Sequence, residues 1–544
     1  SQVVLRIRGE HEFPLTPLGL PSDETVASVL SSDAAQLFVR RASAARPDFE
    51  VNNDNAGAIG EICRLLDGLP LALELAAART RLLSLDEIVT RLKDGLKLLT
   101  GGSRDAPSRH QTLRAALDWS YELLSPTDQA FFRAFSVFEG GADLGAVEAV
   151  IDVDTDPLDC LTKLVEHSLI RRSDVGGRAR FSMLQTIRTY ARELLAAEHG
   201  DSPHERHASY YLQLAESLAG DRDHALDRDM DNFRTALDWW VHHSDRPGTQ
   251  PLRLATALGR FWYRHGHAVE GIGWFEQALA VAHDPPAELH ASALRSFGVL
   301  VESAGELERA RGLFEEALDR FRASGSQAGE AASLNSLGVV LRALGDLDAA
   351  ETRLERAIEL RTAMDERSGL SASTSNLGIT AIDRGDFERA KDLFETALAL
   401  DRKLGDEWAV AVDANNLAVA HLELTELDEA GELSKQALRA FSEYGDKDGL
   451  AEALEVSAGV AGARGRADEA ARLAGAADSI RIDAGLPMKP PDRGRLERWL
   501  MEPRSVLGDD AFQARWDEGA AMTIEQAVVF ALRGSTESHA QAPK

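Results

Sequence analysis

Gly305-Glu306-Leu307-Glu308-Arg309-Ala310 returns 40 residues later as Gly345-Asp346-Leu347-Asp348-Ala349-Ala350, and again as Gly385-Asp386-Phe387-Glu388-Arg389-Ala390. Thr425-Glu426-Leu427-Asp428-Glu429-Ala430 and Gly465-Arg466-Ala467-Asp468-Glu469-Ala470 complete five copies in phase. Two further sets keep the same step. Downstream lie Ala317-Leu318, Ala357-Ile358, Ala397-Leu398 and Ala437-Leu438; upstream lie Ser296-Phe297-Gly298, Ser336-Leu337-Gly338, Asn376-Leu377-Gly378 and Asn416-Leu417-Ala418. A fixed period in this range means a solenoid, because one unit cannot bury its apolar face alone. The glycines fall between two helical periods, where a left-handed residue ends the first helix. The acidic residues after them suit the positive start of the second. Each unit therefore reads as helix, tight turn, helix.

Over residues 287–475 the Gly-Asp-Leu/Phe…Ala…Phe…Ala-Leu pattern resembles tetratricopeptide repeats, in a form of 40 residues rather than about 34. The first helices of such stacked pairs line a concave groove. Asn335, Ser336, Asn376, Asn415 and Asn416 recur on those helices. An Asn amide offers both a donor and an acceptor to an extended peptide backbone, so these are the candidate partner-binding residues. The same amides are equally suited to bonding neighbouring repeats. A protein or peptide in the groove is the expected partner, and self-association stays open.

The 544 residues are 44% apolar and carry a formal charge of −29. That balance disfavours broad affinity for nucleic acid or anionic membrane, since phosphate neutralisation needs clustered Lys and Arg. The two cysteines, Cys63 and Cys160, sit in apolar helical patterns and read as buried thiols. No apolar run approaches the ~18 residues of a membrane span, and no signal peptide opens the chain, so a cytoplasmic location is expected. The first residue is Ser1, and Ser1 to Ile7 reads as the end of a strand within a domain already begun.

Three prolines, Pro14, Pro17 and Pro21, keep the stretch after that strand extended. Helices are expected from Ser32, from about Asn55, from Leu71 and over Leu85 to Leu99, with Asp67-Gly68-Leu69-Pro70 stopping the second. Gly68-Leu69-Pro70-Leu71-Ala72-Leu73 resembles the GLPLAL motif of the NB-ARC branch of STAND nucleotide-switch ATPases. Arg6-Ile7-Arg8-Gly9-Glu10 with Pro14-Leu15 and Leu18 is similar to the linker that precedes it in bacterial members. The resemblance implies that Pro70 packs near adenine in an intact parent protein, with Gly68 and Leu69 beside it. It sets Gln2 where the family has a charged residue.

Residues 111–138 give two helices, and a helix from Pro157 is followed by Leu169-Ile170-Arg171-Arg172. That strand pairs through a turn at Asp174-Val175-Gly176-Gly177 with Arg178 to Met183, which makes a winged helix. The resemblance to the STAND array extends here. Met183 matches the family's Met-His-Asp motif while Leu184 and Gln185 depart from it, so either a nucleotide sensor uses Gln185 or Arg188 or there is none. Winged helices also bind DNA. The helix that would enter the groove sets Asp159 and Glu166 against Lys163, so only Arg171, Arg172, Arg178 and Arg180 of the wing favour that reading.

No G-x-x-x-x-G-K-S/T occurs, so no phosphate cradle is expected in this chain. ATP or ADP is implied only for the parent. Asp152, Asp154 and Asp156 lack the glycine and closing Glu of a calcium loop, and His204 and His207 lack zinc-helix spacing. With no catalytic constellation, the reading leans against an enzyme in this chain while leaving an ATPase open for the parent, and no metal site is expected.

The expected organisation is all-α, with a helical domain and a winged helix before a tetratricopeptide-like solenoid. Its parts are 1–25, the end of a nucleotide-binding domain with its linker; 26–102, the helical domain with GLPLAL; and 103–200, the winged helix. They continue as 201–286, a helical lead-in and first irregular repeat; 287–475, the repeats; 476–533, C-terminal helices; and 534–544, a disordered tail too short for a LuxR-type helix-turn-helix. The resemblance as a whole is to the C-terminal portion of STAND regulators of the LuxR-type and AfsR-like kind. It implies a sensor and regulatory role in signalling or transcription, with a stand-alone repeat adaptor as the alternative and a winged-helix DNA binder as a third.

Overall fold

The computed structural model describes residues 17–47, 49–93, 113–198, 202–218, 226–242, 248–486, 488 and 490–533. Packing divides the chain into two compact units, residues 1–261 with 276–283, and residues 262–275 with 284–544. The strand expected at Ser1 to Ile7, Gln2 and the tail at 534–544 lie outside the described residues.

The first unit opens with α1 (Val26–Ser31), α2 (Asp33–Ala45), α3 (Ala56–Leu65), α4 (Pro70–Ala78) and α5 (Leu85–Lys93). Ser32 caps α2 as its position predicts, its hydroxyl accepting from the Ala35 N–H. Asp67 and Gly68 follow α3 with φ of 53° and 65°. Only glycine fits at the second: a Cβ on Gly68 would stand 2.3 Å from the Leu18 carbonyl oxygen. The Leu18 N–H donates to the Gly68 carbonyl at 3.1 Å, pinning the extended linker to this turn. Pro70 then takes the first position of α4, where its missing N–H costs nothing. The fourth expected helix is α5, and its predicted continuation to Leu99 lies outside the described residues.

Next come α6 (Leu113–Glu122), α7 (Pro126–Phe135), β1 (Ala142–Asp143), α8 (Leu144–Val150), α9 (Pro157–Glu166), β2 (Arg171–Val175), β3 (Arg178–Ser182) and α10 (Gln185–Ala197). The strands form one antiparallel sheet in the order β1-β3-β2. Asp174 and Val175, expected in the turn, stay in the ladder opposite Ala179 and Arg178. Gly176 and Gly177 alone, with φ of 57° and 75°, close the wing, the two-residue geometry that matches strand twist. Phe131, Phe132, Phe135 and Phe138 are all buried in the core beneath it.

The second unit holds the repeats as five helix pairs. Their first helices are Ala287–Ser303, Gln327–Ala343, Arg367–Arg384, Glu407–Glu423 and Lys447–Ala463. Leu307–Ser324, Leu347–Ala363, Phe387–Leu404, Leu427–Tyr444 and Ala467–Ala484 are the second. The turns within pairs are left-handed at Gly305, Gly345, Gly385 and Gly465, and Thr425 adopts the same conformation with φ of 63°. A second row, which the repeated triplets did not reveal, joins one pair to the next at Gly325, Gly405 and Gly445, with Asp365 at φ of 52° in the remaining place, and Gly485 ends the last pair in the same conformation. Close approach explains the helical glycines. A Cβ on Gly298, Gly338 or Gly378 would lie 2.5, 2.5 or 2.7 Å from Phe314, Leu354 or Phe394.

Three more helices, Pro490–Leu507, Asp509–Ala520 and Ile524–Arg533, pack on the last pairs. A Cβ on Gly475 would meet the Trp516 carbonyl oxygen at 2.1 Å, and one on Gly519 the Arg472 carbonyl oxygen at 2.0 Å. The two helices therefore touch backbone to backbone. Among the described residues no helix is long and apolar enough to cross a membrane.

Candidate functional site

Helix α10 begins without a cap of its own, because Leu184 stands at the cap position and offers no side-chain acceptor. Its first N–H groups need partners from elsewhere. Asp67 supplies them across the domain: its carboxylate accepts from the Gln185 N–H at 3.0 Å, the Thr186 N–H at 2.9 Å and the Thr186 hydroxyl at 3.1 Å. Burial pushes the Asp67 carboxyl up, opposed by these three bonds and by the charge of Arg188. A capping carboxylate at a helix start contributes about 1 kcal/mol. The left-handed backbone at Asp67 aims the side chain at α10 while the same turn presents Leu69 and Pro70.

Two segments named by resemblance, 68–70 and 185–188, thus meet through Asp67, a residue that no motif singled out. Its signal was the Asp-Gly pair, a turn former able to cap, ahead of the proline. Gly68 is buried, Leu69 half-buried and Pro70 exposed. Arg188 is buried and bonds both Glu139 and the Gln185 side-chain oxygen, and Glu139 also takes Arg192 at 3.0 Å. Of the two sensor candidates, Arg188 is thus committed to an internal ion pair, and Gln185 is held by it.

The wing is less basic than its sequence suggests. Arg180 points inward, where its guanidinium donates to the Gly140 and Gly141 carbonyls and pairs with Asp229 at 3.0 Å. Arg172 pairs with Asp174 at 2.7 Å. In α9, Lys163 is held by Asp128 at 3.1 Å. His207 is a packing residue: burial pushes it down to about 3, and it contacts the Phe138 and Tyr211 rings. Among the described residues no group of three or more His, Cys, Asp or Glu could hold a metal ion.

In the repeats, the Asn335 side-chain oxygen accepts from the Asn376 amide at 3.1 Å and from the Ser373 hydroxyl at 2.9 Å. These two asparagines therefore bond one repeat to the next. Ser336 is buried, Asn416 is half-buried, and the Asn415 oxygen is buried with no hydrogen-bond partner. Other side chains, missed because they fall outside the repeated triplets, gather across different repeats. Arg264 lies over the Trp408 ring at 5.9 Å. Tyr263 is 52% exposed, and partial burial with the charges of Glu302, Asp448 and Glu452 pushes its hydroxyl up.

Fold and site define a class, a chain that places a winged helix ahead of a tetratricopeptide solenoid. A tetratricopeptide repeat model matches residues 329–403, and a winged helix-turn-helix domain model matches residues 124–196. A Mycobacterium tuberculosis protein, Rv0890c, that bears the name of an HTH-type transcriptional regulator is 43% identical over 277 residues, covering 48% of this chain and 31% of that protein. The regulatory protein AfsR of Streptomyces coelicolor is 28% identical over 309 residues, covering 48% of this chain and 29% of its own length. Among solved structures, the STAND protein with a tetratricopeptide repeat sensor from Pyrococcus horikoshii aligns with a TM-score of 0.46 at 13% identity, covering 94% of this chain and 74% of that one. The chain is similar in sequence to the M. tuberculosis and S. coelicolor relatives, and it spans about a third of the length of each.

Proposed function

We propose that this chain is the sensor and regulatory portion of a STAND-class nucleotide switch. The repeats receive a protein or peptide partner, and residues 17–198 pass the change to a nucleotide domain that holds ATP or ADP in the intact protein. The observation that carries this reading is the Asp67 tie. A turn resembling a nucleotide-facing motif is bonded directly to the first turn of the winged helix's last helix, so displacing one moves the other. The exposed Pro70 leaves the outer side of that turn open to a further domain. A cytoplasmic location accords with it.

The test uses the full-length product of the gene. Bound ATP or ADP is expected after purification, and Asp67→Ala should speed its release severalfold with circular dichroism unchanged. A full-length product that holds no nucleotide overturns the switch and leaves the repeat adaptor. Nucleotide bound and released at the parent rate in the variant overturns the part given to Asp67.

A further inference from the structure

Helices Ala467–Ala484, Pro490–Leu507 and Asp509–Ala520 enclose an open cavity of about 1060 Å³ at the C-terminal end of the solenoid. Its floor is apolar, with Leu496, Leu500 and Phe512 all buried. Its lining sets four arginines against the carboxylates of Asp478 and Glu497, and two large apolar side chains there stand in solvent, Ile482 71% exposed and Met501 65%. Large apolar side chains held this far into solvent and grouped at one groove mark an interaction surface.

One face of Pro490–Leu507 sets the chemistry. Arg493, Leu496, Leu500 and Arg504 all line the cavity, and their spacing of three, four and four residues places them in one row. The two guanidiniums stand about 16 Å apart along the helix, three turns at 1.5 Å per residue. Between them the row is apolar. Among the described residues the Arg493 side chain has no hydrogen bond or ion pair, and Arg504 pairs with the exposed Asp509 at 2.7 Å and lies over the Phe512 ring at 5.3 Å. A solvent-exposed pair of that kind contributes little and exchanges readily. These cations are set in a chain of formal charge −29.

We propose that this groove takes an amphipathic helix of a partner protein, with two turns of Leu, Ile, Met or Phe flanked on either side by carboxylates about three helical turns apart. The apolar turns would bury Met501 and Ile482 on the floor side chains, and the flanking carboxylates would meet Arg493 and Arg504. Opposite charge at both ends fixes register as well as affinity. This surface is separate from the concave face, so the proposal stands whatever the repeats bind.

The test is fluorescence anisotropy of the full chain with a labelled synthetic helix bearing a leucine stripe and Glu at both ends, and with the same helix bearing Lys in place of Glu. Micromolar binding of the Glu helix is expected, at least tenfold weaker for the Lys helix. Arg493→Glu with Arg504→Glu should reverse that preference, and Met501→Asp should abolish binding of either helix. All three positions are exposed, and unchanged melting of each variant checks folding. Absence of Glu-helix binding, equal binding of both helices, or a preference that the double variant leaves unreversed overturns the proposal. So does a dimer, seen by light scattering, that Met501→Asp dissolves, since a second copy would then own the groove.

Discussion

Asp413 illustrates how a single side chain gives the solenoid a pH-dependent stability. It is 2% exposed, Asp401 beside it is 5% exposed, and the Ser375 hydroxyl donates to it at 2.6 Å. One hydroxyl does not replace the water a carboxylate loses, and a second carboxylate adds repulsion. Burial foremost, then Asp401, pushes Asp413 up to about 8. The pair therefore shares a proton at neutral pH. The folded value lies above the unfolded one, so the stability this proton confers is full below the ordinary carboxylate range and is lost as pH rises through the raised value. Asp413→Asn keeps an acceptor for Ser375 and gives Asp401 a donor without a charge. We expect it to melt a few degrees above the parent at pH 8.5, about 1–2 kcal/mol, with the difference shrinking toward pH 5. Comparing variant with parent cancels Glu452, which is also raised. A difference that is constant with pH, or a variant that melts lower at pH 8.5, would show that Asp413 is held as a carboxylate.

At the scale of elements, the two helix junctions in each repeat require a left-handed residue, and Thr425 meets that need at a cost. A β-branched side chain at φ of 63° is strained by roughly 1 kcal/mol or more. Thr425→Gly should therefore raise the urea midpoint by an amount equivalent to about 0.5–1 kcal/mol. Gly378→Ala should lower it by about 1–3 kcal/mol, because the new methyl meets Phe394. A Thr425→Gly midpoint at or below the parent's would mean that Thr425 holds the left-handed turn without strain, and an unchanged Gly378→Ala midpoint would mean that Phe394 gives way to the methyl. The 40-residue period made these elements legible: Gly298, Gly338 and Gly378 repeat the constraint that phenylalanine or leucine imposes 16 residues on. Where Ala418 replaces the glycine, the residue 16 positions on is Ser434, so the small residue has moved to the other helix. Unrepeated features were not legible in this way. Asp67 reaches α10 across 118 residues, and Gly475 and Gly519 meet backbones that no local pattern specifies. The basic wing misled for the same reason, since composition does not say which arginine points inward; Arg180 does.

For the molecule as a whole, charge argues against duplex DNA as the ligand of this chain. Specific and non-specific binding alike begin with several phosphates neutralised by Lys and Arg, and the affinity gained from each neutralised phosphate shrinks as salt rises. The formal charge is −29 and the sequence pI about 5.0. Within the winged helix, Lys163 is tied to Asp128 and Arg180 to Asp229, which leaves Arg171 and Arg178 exposed and Arg172 shared with Asp174. Roughly three phosphate contacts give little affinity at ~150 mM salt, because the gain from each shrinks as salt rises. No shift of a labelled duplex is therefore expected at micromolar chain and ~150 mM salt. At ~20 mM salt any binding should be weak, and Arg171→Glu with Arg178→Glu should abolish it. Sub-micromolar binding at ~150 mM salt that the double variant loses would place the winged helix in a groove of DNA. The role of transmitter given to residues 17–198 would then fail.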